Sequence, residues 1–348
     1  MCGIAGFINY KKEQQKDLLQ KGLQQIVHRG PDDEGVYIQP DFVMGMRRLS
    51  IIDIAHGTQP IYNEDSTVAV VFNGEIYNHL ELRAQLIDKG HVFKTNSDTE
   101  CLVHGYEEWG NELPKHLRGM FAFSIHDVKK GLIFIARDHF GIKPLYYRMQ
   151  DGQVHAFASE IKSMLVDTTY TKEIDMDAVY AYTTLQYSPK THTFFKHIYK
   201  LNPGHSLIIN LHTEDHVIEK YWQFYFDEAR KTDENYEGKK EHIREVLTDS
   251  VAHHMIADVP VASFLSSGVD SSIIASLAQQ HIQTANPSSK LKTYTIGFTD
   301  NRSETDDAAE YAKYLGTDHK EIQVSFDDYF SVLKKCAWHF DEPVADPS

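Results

Sequence analysis

The 348-residue chain is long enough for two domains, and its 41% hydrophobic and 24% charged residues are typical of soluble globular proteins. A formal net charge of −15 argues against a general nucleic-acid-binding surface, and no apolar run reaches the roughly 18–20 residues of a membrane helix. The three cysteines, Cys2, Cys101 and Cys336, are too few and too scattered for a disulfide framework or a zinc site. We therefore expect a cytoplasmic protein in a reducing environment.

Cys2 follows the initiator methionine directly and would become the first residue if Met1 were removed. Its thiol and the free α-amino group would then share one residue. That amine has a reference pKa near ~7.7–8.0, so it can act as the base for the thiol at neutral pH. The apolar residues 4–8 predict a buried strand immediately after the cysteine. The simpler alternative is an ordinary cysteine at position 2.

The first 210 residues predict strands and a few helices in two or more layers. Helices are predicted at residues 12–28, 80–89 and about 98–109, the last with Ser97 or Asp98 as its N-cap. Strands are predicted at residues 36–38, 42–46 and 68–72, with a tight turn at residues 73–75. Two β-hairpins follow, formed by residues 121–127 with 132–137 and by residues 144–149 with 154–158.

The polar, acidic segment at residues 211–240 is interpreted as the connection between two domains. From residue 241 the pattern becomes α/β, beginning with an apolar helix face formed by Ile243, Val246, Leu247, Val251 and Met255. Strands are then predicted at residues 259–265, 291–298 and 321–324, with helices at residues 271–281 and about 305–315 between them. This alternation predicts parallel strands joined by right-handed crossovers.

The loop at residues 266–272, Ser-Ser-Gly-Val-Asp-Ser-Ser, joins a buried strand to a helix N-terminus. Backbone N–H groups, the helix dipole and serine hydroxyls at such a junction favour an anion. The spacing is not that of a Walker A loop. Asp270 would repel a phosphate unless a divalent cation lay between them, so the loop predicts phosphate together with Mg²⁺. The alternative is a serine-rich capped turn that binds nothing.

Two blocks of the sequence resemble known enzyme domains. The loop at residues 266–272 resembles the pyrophosphate loop Ser-Gly-Gly-x-Asp-Ser-Ser of the N-type ATP pyrophosphatases. The start, Cys2-Gly-Ile-Ala-Gly, resembles the glutaminase domain of class II glutamine amidotransferases, and the two in this order resemble the glutamine-hydrolysing asparagine synthetase family. Further matching blocks lie at residues 28–32, 48–53, 72–78, 97–100, 137–147, 156–160, 258–260 and 294–298.

The resemblance implies an α+β N-terminal-nucleophile hydrolase domain, with stacked antiparallel sheets and helices, at residues 2–210. A connecting segment at residues 211–240 would lead to an incomplete α/β parallel-sheet ATP-pyrophosphatase domain at residues 241–348. The implied reaction uses glutamine, aspartate and ATP, with Mg²⁺, and proceeds through β-aspartyl-AMP to asparagine, AMP and pyrophosphate. Ammonia would travel between the two sites through an internal tunnel. The resemblance also implies a homodimer.

The implied glutaminase site is centred on Cys2, which would attack the side-chain amide carbon of glutamine. Asn73 and Gly74 match the Asn-Gly pair that stabilises the oxyanion in the family. The residues implied to bind glutamine are the carboxylate clamp Arg48, the ammonium-binding Glu75 and Asp98, and also Leu49, Ser50, Ile51, Ile52, Asn73 and Gly74. Taken singly, these residues have simpler interpretations: a surface ion pair for Arg48, a helix cap for Asp98 and a hairpin turn for Asn73-Gly74.

The implied nucleotide site lies at the carboxyl edge of the parallel sheet, where ligands bind in open α/β sheets. The residues implied to contact ATP are Phe264, Leu265, Ser266, Ser267, Gly268, Val269, Asp270, Ser271, Ser272 and Ile296. Of these, Asp270 would hold Mg²⁺.

Three departures from the family pattern bear on activity. Ser267 stands where the loop usually has glycine, and we expect activity to survive because serine is small. The chain stops at Ser348, before the family's Ser-Gly-Glu-Gly-Asp-Glu segment, so we expect a truncated chain that hydrolyses glutamine without completing asparagine synthesis. Met1, if retained, would cap the amine that activates Cys2. Two alternatives stay open: a related amidotransferase with another carboxylate acceptor, and an inactive truncated binding module.

Overall fold

The structure is a computed structural model that describes residues 1–10, 12–226, 235–298 and 303–343. The chain divides into two compact units, the first formed by Met1–Phe224 together with Cys336–Ser348 and the second by Tyr225–Lys335. The C-terminal segment thus groups with the N-terminal unit, although sequence boundaries at residues 210 and 240 assign it to the second domain. Within the described part of the chain, no helix combines the length and apolar character needed to cross a membrane.

The strands of the first unit form two six-stranded sheets in which every neighbouring pair is antiparallel. In chain order they are β1 (Gly3–Ile8), β2 (Asp33–Ile38), β3 (Phe42–Arg48), β4 (Ile61–Tyr62), β5 (Val68–Ile76), β6 (Gly119–Asp127), β7 (Leu132–Arg137), β8 (Tyr146–Gln150), β9 (Gln153–Ala158), β10 (Ile198–Lys200), β11 (His205–Asn210) and β12 (His216–Lys220). The first sheet has the order β10-β8-β9-β1-β3-β2, and the second has the order β12-β11-β7-β6-β5-β4.

The two sheets pack face to face and are covered by helices on their outer faces. Ile4 of the first sheet and Val71 of the second belong to one buried apolar cluster. The helices of this unit are α1 (Lys12–Gln25), α2 (His79–Asp88), α3 (Glu100–Trp109) and α4 (Met176–Leu185). Leu23 of α1 packs with the first sheet, and Leu102 of α3 packs with the second. The predicted stacked antiparallel sheets with helices are confirmed, and so are both predicted hairpins.

The predicted tight turn at residues 73–75 is wrong, because β5 continues through these residues to Ile76. Asn73 pairs with Ala122 and Glu75 pairs with Met120 of β6. An Asn-Gly turn of the hairpin type requires positive φ at both residues, and neither Asn73 nor Gly74 has it. Pairing with a distant strand therefore overrides the local preference of the Asn-Gly dipeptide.

The second unit contains three parallel strands, as the alternation of helices and strands predicts. Its elements are α5 (Tyr236–His254), β13 (Ala262–Phe264), α6 (Val269–Ala285), β14 (Lys292–Phe298), α7 (Ser303–Leu315) and β15 (Asp318–Val324), after which α8 (Phe326–Phe340) runs to the end of the unit and beyond it. The predicted apolar face of α5 is buried at Val251 but more than half exposed at Ile243 and Val246.

Strand β12 lies inside the polar segment at residues 211–240, which the sequence predicts to be irregular. Its residues pair with β11, for example Val217 with Ile208, so a short polar strand at the sheet edge forms where composition alone indicates a connection. Residues 227–234 of the same segment lie outside the described residues.

A buried ion pair stabilises the first sheet. Arg148 of β8 is fully buried, and its Nη2 donates to Asp167 Oδ2 at 2.6 Å. We expect Asp167→Asn to lower the free energy of unfolding by about 3–5 kcal/mol, because it leaves a buried guanidinium without its counter-charge. Tryptophan fluorescence in a denaturant titration measures this, since Trp109, Trp222 and Trp338 all lie in the first unit.

The matched control is Asp17→Asn, which breaks the exposed ion pair between Asp17 and Lys21 at the same 2.6 Å distance. Its expected cost is below about 1 kcal/mol. Equal losses in the two variants would contradict the importance of the buried pair.

Candidate active site

Cys2 lies at the start of β1, where Gly3 pairs with Arg47. Its Sγ accepts a hydrogen bond from Leu49 N–H at 3.3 Å, and Arg29 Nε donates to its carbonyl oxygen at 2.9 Å. Burial raises the pKa of the Cys2 thiol, with partial opposition from the contact with Leu49. With Met1 in place the sulfur is therefore a thiol at neutral pH, and a base is needed to convert it into a nucleophile.

A narrow cavity beside Cys2 brings together Cys2 itself, just before β1, with residues from the end of β3 and the segment after it, from β5 and from the segment before α3. It is lined by Cys2, Arg48, Leu49, Ile51, Ile52, Gly57, Gln59, Phe72, Gly74, Glu75, Ser97, Asp98 and Thr99. Most of the residues implied to bind glutamine therefore meet around the thiol. Ser50 and Asn73 do not line this cavity, and the backbone N–H of Ser50 instead donates to Asp32 Oδ2 at 2.9 Å.

Asn73 is fully buried on β5, and neither its Nδ2 nor its Oδ1 has a hydrogen-bond partner among the described residues. A buried amide left unsatisfied costs about 1–3 kcal/mol for each group, so such an amide is expected to meet a ligand. Side chains two residues apart on a strand share a face. Asn73 therefore shares a face with Val71, whose buried cluster also contacts Cys2, and with Glu75, which lines the cavity.

Gly74 occupies a place where no side chain fits. A Cβ there would lie 2.1 Å from Met120 O and 2.8 Å from Phe121 Cα of the paired strand β6. Glycine therefore allows β5 to stay paired while its backbone lines the cavity beside Cys2.

Glu75 and Asp98 place two carboxyl groups in the same cavity. Asp98 is buried, and its Oδ2 accepts a hydrogen bond from Ile76 N–H at 2.8 Å. Burial, followed by repulsion from Asp98, raises the pKa of Glu75 to about 8, and burial also raises the pKa of Asp98. Two desolvated carboxyl groups that disfavour joint ionisation would be stabilised by an organic ammonium group placed between them.

Arg48 is buried rather than on the surface, so the simpler interpretation as a surface ion pair is wrong. Its guanidinium donates to three backbone carbonyls of the following loop, Ile52 O at 3.0 Å, Asp53 O at 2.7 Å and Ile54 O at 3.2 Å. A guanidinium carries five N–H donors, so these bonds leave donors for a ligand carboxylate. Arg48 thus holds the loop that forms one wall of the cavity.

The serine-rich loop of the second unit follows β13 and is exposed. Ser266 N–H donates to Ser271 Oγ at 3.1 Å, and the two hydroxyl oxygens lie 2.8 Å apart. Helix α6 begins at Val269, two residues before the predicted start, so Asp270 lies in its first turn. Ser267 does not have a positive φ, which is why serine causes no backbone strain where the family usually has glycine.

The residues implied to flank a nucleotide lie on neighbouring parallel strands. Leu265 N–H donates to Tyr294 O at 2.9 Å, and Phe264 pairs with Tyr294, two residues before Ile296 on β14. Phe264 and Ile296 are 73% and 55% exposed, so their side chains are accessible to a ligand.

Comparison with known proteins assigns the chain to a family. A family model described as glutamine amidotransferase domain matches residues 1–222, and a model described as asparagine synthase matches residues 242–348. Asparagine synthetase [glutamine-hydrolyzing] 1 of Bacillus subtilis is 42% identical over 100% of this chain and 54% of its own length. A provisionally named glutamine-hydrolysing asparagine synthetase 2 of Methanocaldococcus jannaschii is 36% identical, over 100% of this chain and 70% of its own length.

The chain belongs to the glutamine-hydrolysing asparagine synthetase family. A further relative, Amidase chry2 of Gibberella zeae, is 32% identical over 99% of this chain and 54% of its own length. The chain spans about half the length of most of these curated relatives. The stacked antiparallel sheets of its first unit lie within the residues that match the glutamine amidotransferase domain, and its parallel strands lie within the residues that match asparagine synthase.

Two residues near the cavity beside Cys2, Lys143 and Gln59, were not predicted from the sequence. Lys143 is buried, and burial lowers the pKa of its ammonium group while the charge of Glu75 opposes the shift. Gln59 lines the cavity and accepts a hydrogen bond from Phe72 N–H at 2.6 Å. Lys143 lies in one of the matching blocks, but nothing in local spacing indicates that it approaches Glu75, which is distant along the chain.

The raised pKa of Glu75 makes the stability of the first unit depend on pH. The folded state binds a proton at Glu75 up to about pH 8, whereas an ordinary glutamate releases it near 4.5. Stability contributed by the protonated carboxyl is therefore lost as pH rises through this window. We expect Glu75→Gln to stabilise the fold relative to the parent chain by an amount that grows from pH 5 to pH 8, measured by thermal unfolding.

Glu219→Gln, an exposed substitution on β12, is the matched control and should give a constant difference across the same pH range. A constant difference for Glu75→Gln as well would contradict the burial of an ionisable carboxyl at this position.

Proposed function

We propose that the first unit hydrolyses glutamine at Cys2 to glutamate and ammonia, as the nitrogen-supplying half of a glutamine-dependent asparagine synthetase. The observation that supports this most directly is the buried, unsatisfied amide of Asn73 on the strand that lines the cysteine cavity. The same cavity contains two carboxyl groups and a guanidinium. These groups complement the charges of an α-amino acid that carries a side-chain amide.

In the proposed first step, removal of Met1 leaves the α-amine on Cys2, and this amine accepts the thiol proton. Sγ then forms a bond to the side-chain amide carbon of glutamine. The negative charge that develops on the carbonyl oxygen is stabilised by Asn73 Nδ2 and by the Gly74 N–H. One donor of this kind is typically worth about 2.7–4 kcal/mol of transition-state stabilisation.

In the second step the carbon–nitrogen bond breaks, and the departing amide nitrogen takes the proton from the α-ammonium group of Cys2 and leaves as ammonia. The product is a thioester between Cys2 and the glutamyl group. Water then attacks the thioester carbon, transfers a proton through the amine, and releases glutamate and the thiol. The amine thus acts first as a base and then as an acid, which its reference pKa near neutrality allows.

Recognition of glutamine uses the charged groups around the thiol. The remaining N–H donors of Arg48 would bind the α-carboxylate, and Glu75 with Asp98 would bind the α-ammonium group. The loop formed by Leu49, Ser50, Ile51 and Ile52 would close the side of the cavity. Ammonium binding would require ionised carboxyl groups, so this proposal couples glutamine binding to proton release from the pair.

For the second unit we propose binding of ATP at the loop that contains Ser266, Ser267, Gly268, Asp270, Ser271 and Ser272. An exposed carboxylate, serine hydroxyls and a helix N-terminus form a donor set that fits phosphate with Mg²⁺, and Asp270 is the residue that would hold the ion. When bound, Mg²⁺ would neutralise phosphate charge. The complete enzyme would join the β-carboxylate of aspartate to the α-phosphate of ATP, release pyrophosphate, and let ammonia displace AMP.

The acceptor carboxylate is the part of the proposal that has a second candidate. The Gibberella zeae relative is named an amidase and not an asparagine synthetase, so an enzyme with another carboxylate acceptor is the second candidate. Cytoplasmic localisation and a homodimeric state belong to the same proposal, and the free thiols of Cys2, Cys101 and Cys336 fit a reducing compartment.

The glutaminase proposal predicts that ammonia release requires both Cys2 and a free N-terminus. We expect Cys2→Ala to lower the rate by at least about 10³-fold, because the nucleophile is lost, and Asn73→Ala to lower kcat by about 10²–10³-fold. A chain in which extra residues precede Cys2 should be as inactive as Cys2→Ala. Glutamate dehydrogenase-coupled detection of glutamate measures the rates, with mass spectrometry to verify the N-terminus. Absence of ammonia release from the Met1-free parent chain would refute the proposal.

The nucleotide proposal predicts that Asp270→Asn weakens Mg²⁺-dependent ATP binding about tenfold or more, since it removes the carboxylate that would hold the ion. Isothermal titration calorimetry with and without EDTA measures the Mg²⁺-dependent part. Asp306→Asn, an exposed substitution on α7, is the control and should leave the affinity unchanged. Equal affinities for the parent chain and Asp270→Asn in Mg²⁺ would exclude this role for Asp270. Pyrophosphate exchange with aspartate, compared with other carboxylates, distinguishes the two acceptors.

A further inference from the structure

A cluster of two histidines and two glutamates lies on the first unit, on the helix-covered side of the second sheet. Glu64 belongs to the turn between β4 and β5, His91 follows α2, and His104 and Glu107 lie three residues apart on one face of α3. Each residue contributes one nitrogen or oxygen atom, and these atoms all lie within 4.8 Å of one another. We propose that this cluster is a binding site for a divalent transition-metal ion of the Zn²⁺ class.

The distances between the facing atoms support coordination rather than direct hydrogen bonding. His91 Nδ1 lies 3.4 Å from Glu64 Oε1 and 3.7 Å from Glu107 Oε2. His104 Nδ1 lies 3.4 Å from Glu64 Oε2 and 3.5 Å from Glu107 Oε2. Good N–H···O hydrogen bonds measure about 2.7–3.2 Å. Ligands bound to Zn²⁺ at about 2.0–2.1 Å in a tetrahedron lie about 3.3–3.4 Å apart. The four distances are close to this value, with Glu64 facing His91 through Oε1 and His104 through Oε2.

His104 is the second, independent observation. Its side chain is fully buried, and neither ring nitrogen has a hydrogen-bond partner among the described residues. Buried polar atoms are nearly always satisfied, and the carboxylates nearest to this imidazole lie 3.4–3.6 Å away, beyond good hydrogen-bond distance, which leaves Nδ1 available to a ligand. Nδ1 faces the other three members of the cluster, where a metal ion would satisfy it.

The carboxylates of the cluster also accept hydrogen bonds from groups outside the cluster, which hold them in place. Glu64 Oε1 accepts from Val92 N–H at 2.9 Å, and Glu107 Oε1 accepts from Asn63 Nδ2 at 2.7 Å. Such partners fix the orientation of metal ligands and are typical of protein metal sites.

Each histidine ring also has a carboxylate near its other nitrogen, Nε2. His91 Nε2 lies 3.2 Å from Glu108 Oε1, and His104 Nε2 lies 3.6 Å from Glu100 Oε1. The hydrogen bond between His91 Nε2 and Glu108 selects the tautomer in which His91 Nδ1 carries the lone pair and can bind a metal, whereas the separation at His104 is too long for a hydrogen bond. Glu64 and Glu107 are exposed, so an ion can reach the site from solvent.

The role of such an ion would be structural. It would connect α3 to the β4–β5 turn and to the segment after α2. Helix α3 begins two residues after Asp98, which lines the cysteine cavity, so the ion would also fix the segment that presents Asp98. Four protein ligands would complete a tetrahedral site and leave no open position, as in structural zinc sites. This inference does not depend on the proposed glutaminase activity.

The test uses the full chain carrying Cys2→Ala, so that the thiol does not compete for metal. After removal of metal with EDTA and dialysis, Zn²⁺ is titrated by isothermal titration calorimetry, and bound metal is counted by mass spectrometry. We expect one high-affinity Zn²⁺ per chain and a melting temperature that rises with Zn²⁺ concentration. X-ray absorption should show nitrogen and oxygen ligands at about 2.0–2.1 Å.

The ligand variants are His91→Gln and Glu107→Gln, which change side chains that are not fully buried and leave the core intact. Each should weaken Zn²⁺ binding at least about 100-fold and abolish the thermal shift. His116→Gln removes an exposed histidine just after α3 and should change neither. Circular dichroism verifies the fold of each variant. Failure of the parent to bind Zn²⁺, or binding that both ligand variants retain, would overturn the proposal. The negative charge of the cluster would then be offset by bound protons.

Discussion

The continuous pairing of β5 with β6 is the constraint on which the candidate active site depends. It holds Asn73, Gly74 and Glu75 beyond the end of β4, so β6 pairs with them on one side and fixes their backbone positions. A turn at the same place would have left these groups mobile and solvated. Because the strand holds them, the amide of Asn73 is buried without a hydrogen-bond partner among the described residues, which is the preorganisation that the proposed oxyanion stabilisation would need. The absence of a Cβ at Gly74 is what permits the close approach of β6.

Burial of charge is the second property of the site, and it has a cost in the ligand-free state. Glu75 and Asp98 are desolvated together, with Lys143 as a partial counter-charge. Such a site destabilises the empty fold at high pH and gains most from a ligand that brings its own positive charge. Arg48 illustrates a complementary solution, since its buried guanidinium is partly neutralised by loop carbonyls and also shapes the cavity wall. Specificity for an α-amino acid would follow from these fixed charges.

The proposed metal cluster would help to hold the segments around the candidate active site in position. Strand β5 is paired with β6, but Asp98 comes from the connection that leads into α3 and lies outside the strands. Glu64 and His91 come from two connecting segments and His104 and Glu107 come from α3, so the cluster joins these three parts of the chain at one point. A bound ion would make the connection that carries Asp98 rigid, as strand pairing does for Asn73 and Glu75.

The sequence by itself determined the family and most of the local elements, with the strand at residues 73–75 and strand β12 as exceptions. Alternating apolar residues predicted the β6–β7 hairpin, and Asp151-Gly152 predicted a turn in which both residues indeed have positive φ. These features depend on neighbours within a few residues, so a pattern along the chain is sufficient to reveal them. Only the tertiary structure decided that Asn73-Gly74 lies in a strand, that Lys143 approaches Glu75, and that His104 faces Glu64. Each of these outcomes depends on contacts between segments far apart in the chain, whose energies exceed the local preference of any dipeptide.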